Sequence, residues 1–320
     1  KDAEASEQWY KQAFAGFLEL EQQSHDDKLQ YRIGWLFLYG VGTGKDEAAA
    51  REWFERASKL GNPHAQYQLA RMILDAPSST PEQTAQALEW LTKAAEAGQD
   101  CAQYAFGKIY REGQEIEKDI QQAVELFTLA AEQGNSFAAF ALGKLYLSGD
   151  AGLPIDPPSA LKWLTFSAEL GNQFAQYRLG KLLLQGEEVP KDTEAAIRWL
   201  TAAAEQGNQY AQYALGKLYL LGKEVPKDKS NAIKWFQLAA DQGNEYAKYF
   251  LEHMDDRLGQ PPAAAVISLL HHLANIFQEQ SQPPSDGIRV AVDRKLLRKI
   301  KAKKIAQGHK ADDHEPEMKF

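Results

Sequence analysis

The chain has 320 residues and a net charge of −8, from 36 Lys and Arg against 44 Asp and Glu. With 44% hydrophobic and 25% charged residues it is a folding composition rather than a disordered one, and no apolar run nears the ~18 residues of a bilayer span. A single cysteine, Cys101, excludes an internal disulfide framework and a cysteine-based zinc knuckle, and it accords with a reducing, cytoplasmic setting.

Lys1 stands where an initiator methionine is expected, so the chain reads as processed or as a segment of a longer polypeptide, and Lys1 to Trp9 hold no signal-peptide core. The amino-terminal stretch reads as a degenerate helical unit. Trp9 takes the place that tryptophan has in later units, and Tyr31, Ile33, Gly34 and Gly40 begin the next, with His25 where later units carry glycine.

A regular repeat then sets in. A glycine–polar step recurs at Gly61-Asn62, Gly98-Gln99, Gly134-Asn135, Gly171-Asn172, Gly207-Asn208 and Gly243-Asn244, at intervals of 36 or 37 residues. Counted from each glycine, position +4 is alanine (Ala65, Ala102, Ala138, Ala175, Ala211, Ala247) and +8 is leucine or phenylalanine. A first helix is expected over about +2 to +14, its apolar positions on one stripe, ended by a left-handed glycine at +15 such as Gly113, Gly149, Gly186 or Gly222. A second helix starts near Asp46, Asp119, Asp156, Asp192 or Asp228, each a good N-cap. One unit lacks that aspartate and offers the capping box Thr80-Pro81-Glu82-Gln83 instead; there Ala76-Pro77 also replaces the glycine, which predicts a looser turn. Trp53, Trp90, Leu126, Trp163, Trp199 and Trp235 stand eight residues before each repeat glycine as the large packing residues. Helix pairs this short cannot bury their apolar faces alone, so the expected fold is all-α: a right-handed α/α superhelical solenoid over residues 1–258.

Opposite the apolar stripe, position +6 is aromatic in every unit, including Tyr67, Tyr104, Tyr177 and Tyr213. Position +10 is basic (Lys108, Lys144, Lys181, Lys217), and +3 turns aromatic late in the array (Phe137, Phe174, Tyr210). Two readings stand side by side. These residues line a groove for an acidic or aromatic-rich peptide, or the tyrosines pack between repeats and the lysines are solvated caps. The +5 glutamines Gln66, Gln103, Gln176 and Gln212 read as hydrogen-bonders between helices.

The period stops after Met254. Residues 259–280 carry an amphipathic pattern, Val266, Leu269, Leu270, Leu273, Ile276 and Phe277, that predicts a helix capping the open end of the solenoid. Residues 281–320 read as a linker and a basic helical tail. Between Ile288 and Lys310 nine Lys and Arg face one acid, a local +8 that leaves −16 for the rest. Arg294, Lys295, Arg298, Lys299, Lys301, Lys303 and Lys304 are therefore candidate contacts to nucleic acid or to an acidic partner.

The run Ala-Gln-Tyr-Ala-Leu-Gly-Lys-Leu-Tyr-Leu at 211–220, followed by Gly222, Val225, Lys227-Asp228, Ala232, Trp235-Phe236 and Ala239-Ala240, resembles a Sel1-like repeat. The resemblance spans about residues 1–255 and implies a tetratricopeptide-type adaptor for protein partners, with no catalytic residues. The string from Val292-Asp293-Arg294 to Asp312-Asp313-His314-Glu315 is similar to the carboxyl end of relaxases of bacterial conjugative elements. That implies an accessory, partner-recruiting region of a DNA-mobilisation protein, although the relaxase nuclease itself has no counterpart in the chain.

Enzyme chemistry finds no constellation. The seven histidines are scattered, and there is no His-Glu-x-x-His, phosphate-cradling glycine loop or nucleophile elbow. His271 and His272 are adjacent and point about 100° apart on a helix, with no third ligand nearby, so no metal site and no cofactor are expected.

Overall fold

The computed structural model describes residues 2–252, apart from 77, 114, 115 and 151. The expected capping helix (259–280), the tail (281–320), His253, His271 and His272 lie outside the described residues. Within them α1 (Asp2–Ser24) leads into α2 (Asp27–Tyr39) and α3 (Glu47–Lys59). Helix pairs follow: α4 (Pro63–Leu74) with α5 (Pro81–Glu96), α6 (Asp100–Glu112) with α7 (Ile120–Glu132), and α8 (Ser136–Ser148) with α9 (Pro157–Glu169). Then come α10 (Gln173–Gln185) with α11 (Thr193–Glu205), α12 (Gln209–Leu221) with α13 (Lys229–Asp241), and finally α14 (Glu245–Glu252). Even-numbered helices are the first, or A, helices of their units, and odd-numbered ones from α3 onward are the B helices. Each helix packs on its neighbours in the chain, and the core divides into local clusters in chain order instead of meeting at one centre. The molecule is an all-helical solenoid.

The caps explain the boundaries. Asp46, Asp119, Asp156, Asp192 and Asp228 each accept a backbone N–H of the first turn of their B helix, and Thr80 and Gln83 exchange both bonds of the capping box. At the A-to-B turn, Gly40, Gly113, Gly186 and Gly222 take φ between 65° and 68°. The unit without that glycine ends α4 at Asp75 in a right-handed conformation. At the B-to-A turn the repeat glycine forms a Schellman ending. Gly61 N–H donates to the Ser58 carbonyl (3.0 Å) and Asn62 N–H to the Ala57 carbonyl (3.1 Å), and the Asn62 side chain then accepts from Ala65 N–H (2.9 Å) to start the next helix. The same step makes each reversal from B to A helix. His25 does this glycine's work at φ 48°, a conformation that L side chains resist.

Sequence and structure differ on the packing residue. The tryptophans are only half-buried, and the residue after each of those positions is the one fully enclosed: Phe54, Leu91, Phe127, Leu164, Leu200 and Phe236. Each points at its partner A helix, where a glycine usually stands at +9. A Cβ on Gly107 would lie 2.8 Å from the Phe127 ring, and one on Gly180 would lie 2.8 Å from Leu200 Cγ and 2.9 Å from the Ala196 carbonyl. The tryptophans instead bridge units: Trp90 packs on the cluster around Phe54, and Trp235 on the one around Leu200. Trp9 does not take that role, being 72% exposed; α1 meets α2 through Phe14, edge-on to Phe37 at 5.1 Å.

Three of the four +5 glutamines bridge helices by hydrogen bonds, as their pattern suggests. Gln103, Gln176 and Gln212 are buried and donate through Nε2 to the carbonyls of Ala95, Ala168 and Ala204 in the preceding B helix, at 3.0–3.1 Å. Each also accepts at Oε1 from the glutamine preceding the next repeat glycine, Gln133, Gln206 or Gln242, at 2.8 Å. Three consecutive helices are thereby tied by two bonds through one side chain.

Candidate partner-docking face

The +6 and +3 rings of the A helices meet across unit boundaries. Tyr104 lies against Phe137 (6.3 Å between centroids), Phe140 against Phe174 (6.4 Å), Tyr177 against Tyr210 (6.1 Å) and Tyr213 against Tyr246 (6.0 Å). Tyr31 makes the same contact with His64 at 5.4 Å. After Tyr67 a thiol, Cys101, stands at +3 in place of a ring. Position +6 of one unit therefore faces +3 of the next, an offset of three residues per unit that sequence spacing alone does not reveal.

Each ring also reaches inward: Tyr104 lies 5.8 Å from Phe127, and Tyr213 lies 5.9 Å from Phe236. Burial pushes the hydroxyls of Tyr67, Tyr177 and Tyr213 up to about 12. The rings thus stack between repeats and show their remaining surface as a row along the A helices. Phe137 is the most open of them, at 39% exposure.

The +10 cations sit over this row. Lys108 Nζ stands 5.8 Å from the Tyr104 ring centroid and Lys144 Nζ 5.8 Å from that of Phe140. Lys217 is exposed. In the early units Asp75 lies beside Arg71 (3.5 Å) and Lys108 and balances them. Further on, burial holds Lys144 down to about 8, with Arg111 and Arg178 pushing the same way; burial and then Arg178 do the same to Lys181, which Glu188 partly offsets. Arg111 and Arg178 were absent from the sequence-derived face. The signal for Arg111 lies in column +13, where other units carry leucine; column +7, which holds Arg178, varies between units.

These two lysines make stability depend on pH. Their folded values lie below the ordinary 10.5, so the unfolded chain holds the protons more tightly and protonation favours unfolding. Lys144→Met or Lys181→Met should raise stability at about pH 7 by about 1 kcal/mol, a figure discounted for partial exposure. The advantage should fade as pH rises from about 8 towards 10.5, where the wild-type lysines lose their protons in both states. Urea unfolding of variant and wild type at about pH 7 and about pH 10 measures the difference, and an advantage that stays constant would contradict it.

Cys101 is half-buried, and burial together with Asp100 pushes its thiol up, away from a reactive thiolate. Among the described residues no group of three or more His, Cys, Asp or Glu is placed to hold a metal ion, and no helix is long and apolar enough to cross a membrane.

The model of the Sel1 repeat matches residues 28–62, 63–99, 102–135, 136–172, 173–208 and 209–244, well over half of the chain. The chain belongs to the Sel1 repeat family. Among solved structures it is similar to a Sel1 repeat protein from Oxalobacter formigenes, with 33% identity and a TM-score of 0.63 over 72% of this chain and 66% of that one. It is also similar to a protective antigen of uropathogenic Escherichia coli with an SLR fold, with 30% identity and a TM-score of 0.45 over 78% of this chain and 61% of that one. The chain thus spans just under two thirds of the length of each. No curated protein matches. Sel1 repeats typically mediate protein–protein interaction, and proteins built from them are generally non-catalytic scaffolds.

Proposed function

We propose that this Sel1 repeat chain is a non-catalytic adaptor whose A-helix face docks an acidic or aromatic-rich segment of a protein partner. The observation that carries the reading is the ring row, running from Tyr104 to Tyr246 with cations at +10 beside it on the same side of the array. Rings already held by stacking lose little entropy when a ligand covers them, and repeated units offer a long continuous surface. Lys108, Lys144, Lys181 and Lys217 supply charge for acidic side chains, with Phe137, Phe174, Tyr210 and the +6 tyrosines as the apolar floor.

Photo-crosslinking separates this face from the opposite one. A photoreactive residue at Phe137 or Lys217 should form adducts with the partner, while one at Lys162 or Arg198, exposed on α9 and α11, should not. Adducts confined to the B-helix positions would sink the reading.

A second reading rests on the charge of residues 288–310. We propose it as a separate nucleic-acid contact through Arg294, Lys295, Arg298, Lys299, Lys301, Lys303 and Lys304, in keeping with a role near DNA mobilisation. Removing residues 288–320 should abolish salt-sensitive DNA binding and leave docking on the A helices intact. A full chain without salt-sensitive DNA binding would end it.

A further inference from the structure

Three cations on three consecutive A helices fall on one diagonal. Arg111 stands at +13 of α6, Lys144 at +10 of α8 and Arg178 at +7 of α10. The step of three residues per unit is the one that brings the +6 ring of each unit onto the +3 ring of the next, so Lys144 lies between the two arginines. Arg111 and Arg178 both act on Lys144 and oppose its charge.

Arg111 departs from a leucine column, and Arg178 stands in a column that the repeat leaves open. At +13 other units carry Leu38, Leu74, Leu147, Leu184 and Leu220, and at +7 the column varies, with Ala105, Ala141 and Ala214 beside Arg32, Gln68 and Phe250. Two arginines, one of them replacing a leucine, therefore converge on one lysine, in a protein of net charge −8. Glu112 pairs with Arg111 at 3.1 Å, and Glu188 lies near Lys181, one turn beyond Arg178. Gathering like charges on a half-buried face costs stability, and an anionic ligand would relieve that cost.

We propose that Arg111, Lys144 and Arg178 form a three-point row that binds an extended acidic segment of a protein partner carrying a carboxylate at every third residue. This rests on the docking reading above and names the chemistry of the docked segment. Packed helices lie about 10 Å apart, which sets the spacing of cations on successive A helices. A polyproline II strand advances about 3.1 Å per residue with three residues per turn, so every third side chain points the same way about 9 Å further along. An acidic strand of that period meets all three cations at once, whereas carboxylates packed side by side satisfy one and crowd each other.

The test uses the full chain and two labelled synthetic peptides of one composition: glutamate–proline–proline units repeated four times, and an isomer with its glutamates in one block. Fluorescence anisotropy should show the periodic peptide binding about tenfold or more tightly than the block isomer, with affinity falling as salt rises. The double variant Arg111→Leu/Arg178→Ala restores the residues of the neighbouring units, so its melting temperature should hold or rise while the preference between the peptides disappears. Equal affinity for the two isomers, no binding of either, or an unchanged preference in the double variant would each overturn the proposal. So would a single-stranded oligonucleotide that displaces the periodic peptide more effectively than unlabelled peptide does. If A-face crosslinks to the partner persist in the double variant alongside any of these results, the row fails and the docking face stands.

Discussion

Valine at position 180 should cost the array about 3 kcal/mol or more, the largest loss expected from any single substitution considered. Gly180 sits where α10 comes closest to α11. A Cβ there would meet Leu200 Cγ at 2.8 Å and the Ala196 carbonyl at 2.9 Å, and the carbonyl belongs to helix backbone that cannot step aside. Overpacking of this kind costs about 1–3 kcal/mol for a small increment, and valine adds two methyl groups beyond the Cβ. The gain in helix propensity over glycine, under about 1 kcal/mol, does not offset it. Gly16 in α1 provides the opposite case, because nothing lies within 4 Å of a Cβ placed on it. Gly16→Ala should therefore stabilise by about 1 kcal/mol. Stability here is a chain of nearest-neighbour terms, so damage between α10 and α11 should also split urea unfolding into two transitions. A single, unshifted transition for Gly180→Val would show that the two helices have more room than their contacts indicate.

Much of this architecture is legible in one sequence because each unit solves the same problem with the same residues. The glycine steps, the aspartate N-caps, the capping box at Thr80 and the bridging glutamines are local devices, and local chemistry follows from residue type and spacing. What the sequence hides is how units meet. Trp163 outranks Leu164 in size, yet Leu164 is the side chain that closes on Gly143, because the angle at which the two helices pack decides which residue points inward. The offset of three between neighbouring A helices is likewise a property of packing. Once it is known, Arg111, Lys144 and Arg178 become neighbours, although 33 or 34 residues separate each from the next. The amino terminus shows the converse: Trp9 matches a repeat column but stands exposed on the long helix α1.

The glutamine relay yields the second prediction, and the chain contains its own control. Gln176 accepts from Gln206 and donates to the Ala168 carbonyl, so Gln176→Ala removes both bonds and opens a small void between three helices. A buried, doubly bonded amide of this kind is expected to contribute about 2 kcal/mol. In the unit starting at Gly134 the same two positions hold Ala139 and Leu170, an apolar pair in place of two amides. There Ser167 ties α9 to α8 within the unit instead, its hydroxyl donating to the Ser136 carbonyl at 2.7 Å. The relay is complete in the units starting at Gly98, Gly171 and Gly207, whereas the unit at Gly134 holds neither glutamine and the unit at Gly61 sets Gln66 with Ala97. Adding Gln206→Leu to Gln176→Ala should cost little further, because the amide that lost its acceptor is removed with it. A double-mutant cycle by urea unfolding should give a coupling of about 1 kcal/mol between the two sites. Strict additivity would mean that Gln206 reaches water as easily as it reaches Gln176, and the bond between the two amides would then add nothing to the packing of α10 on α11.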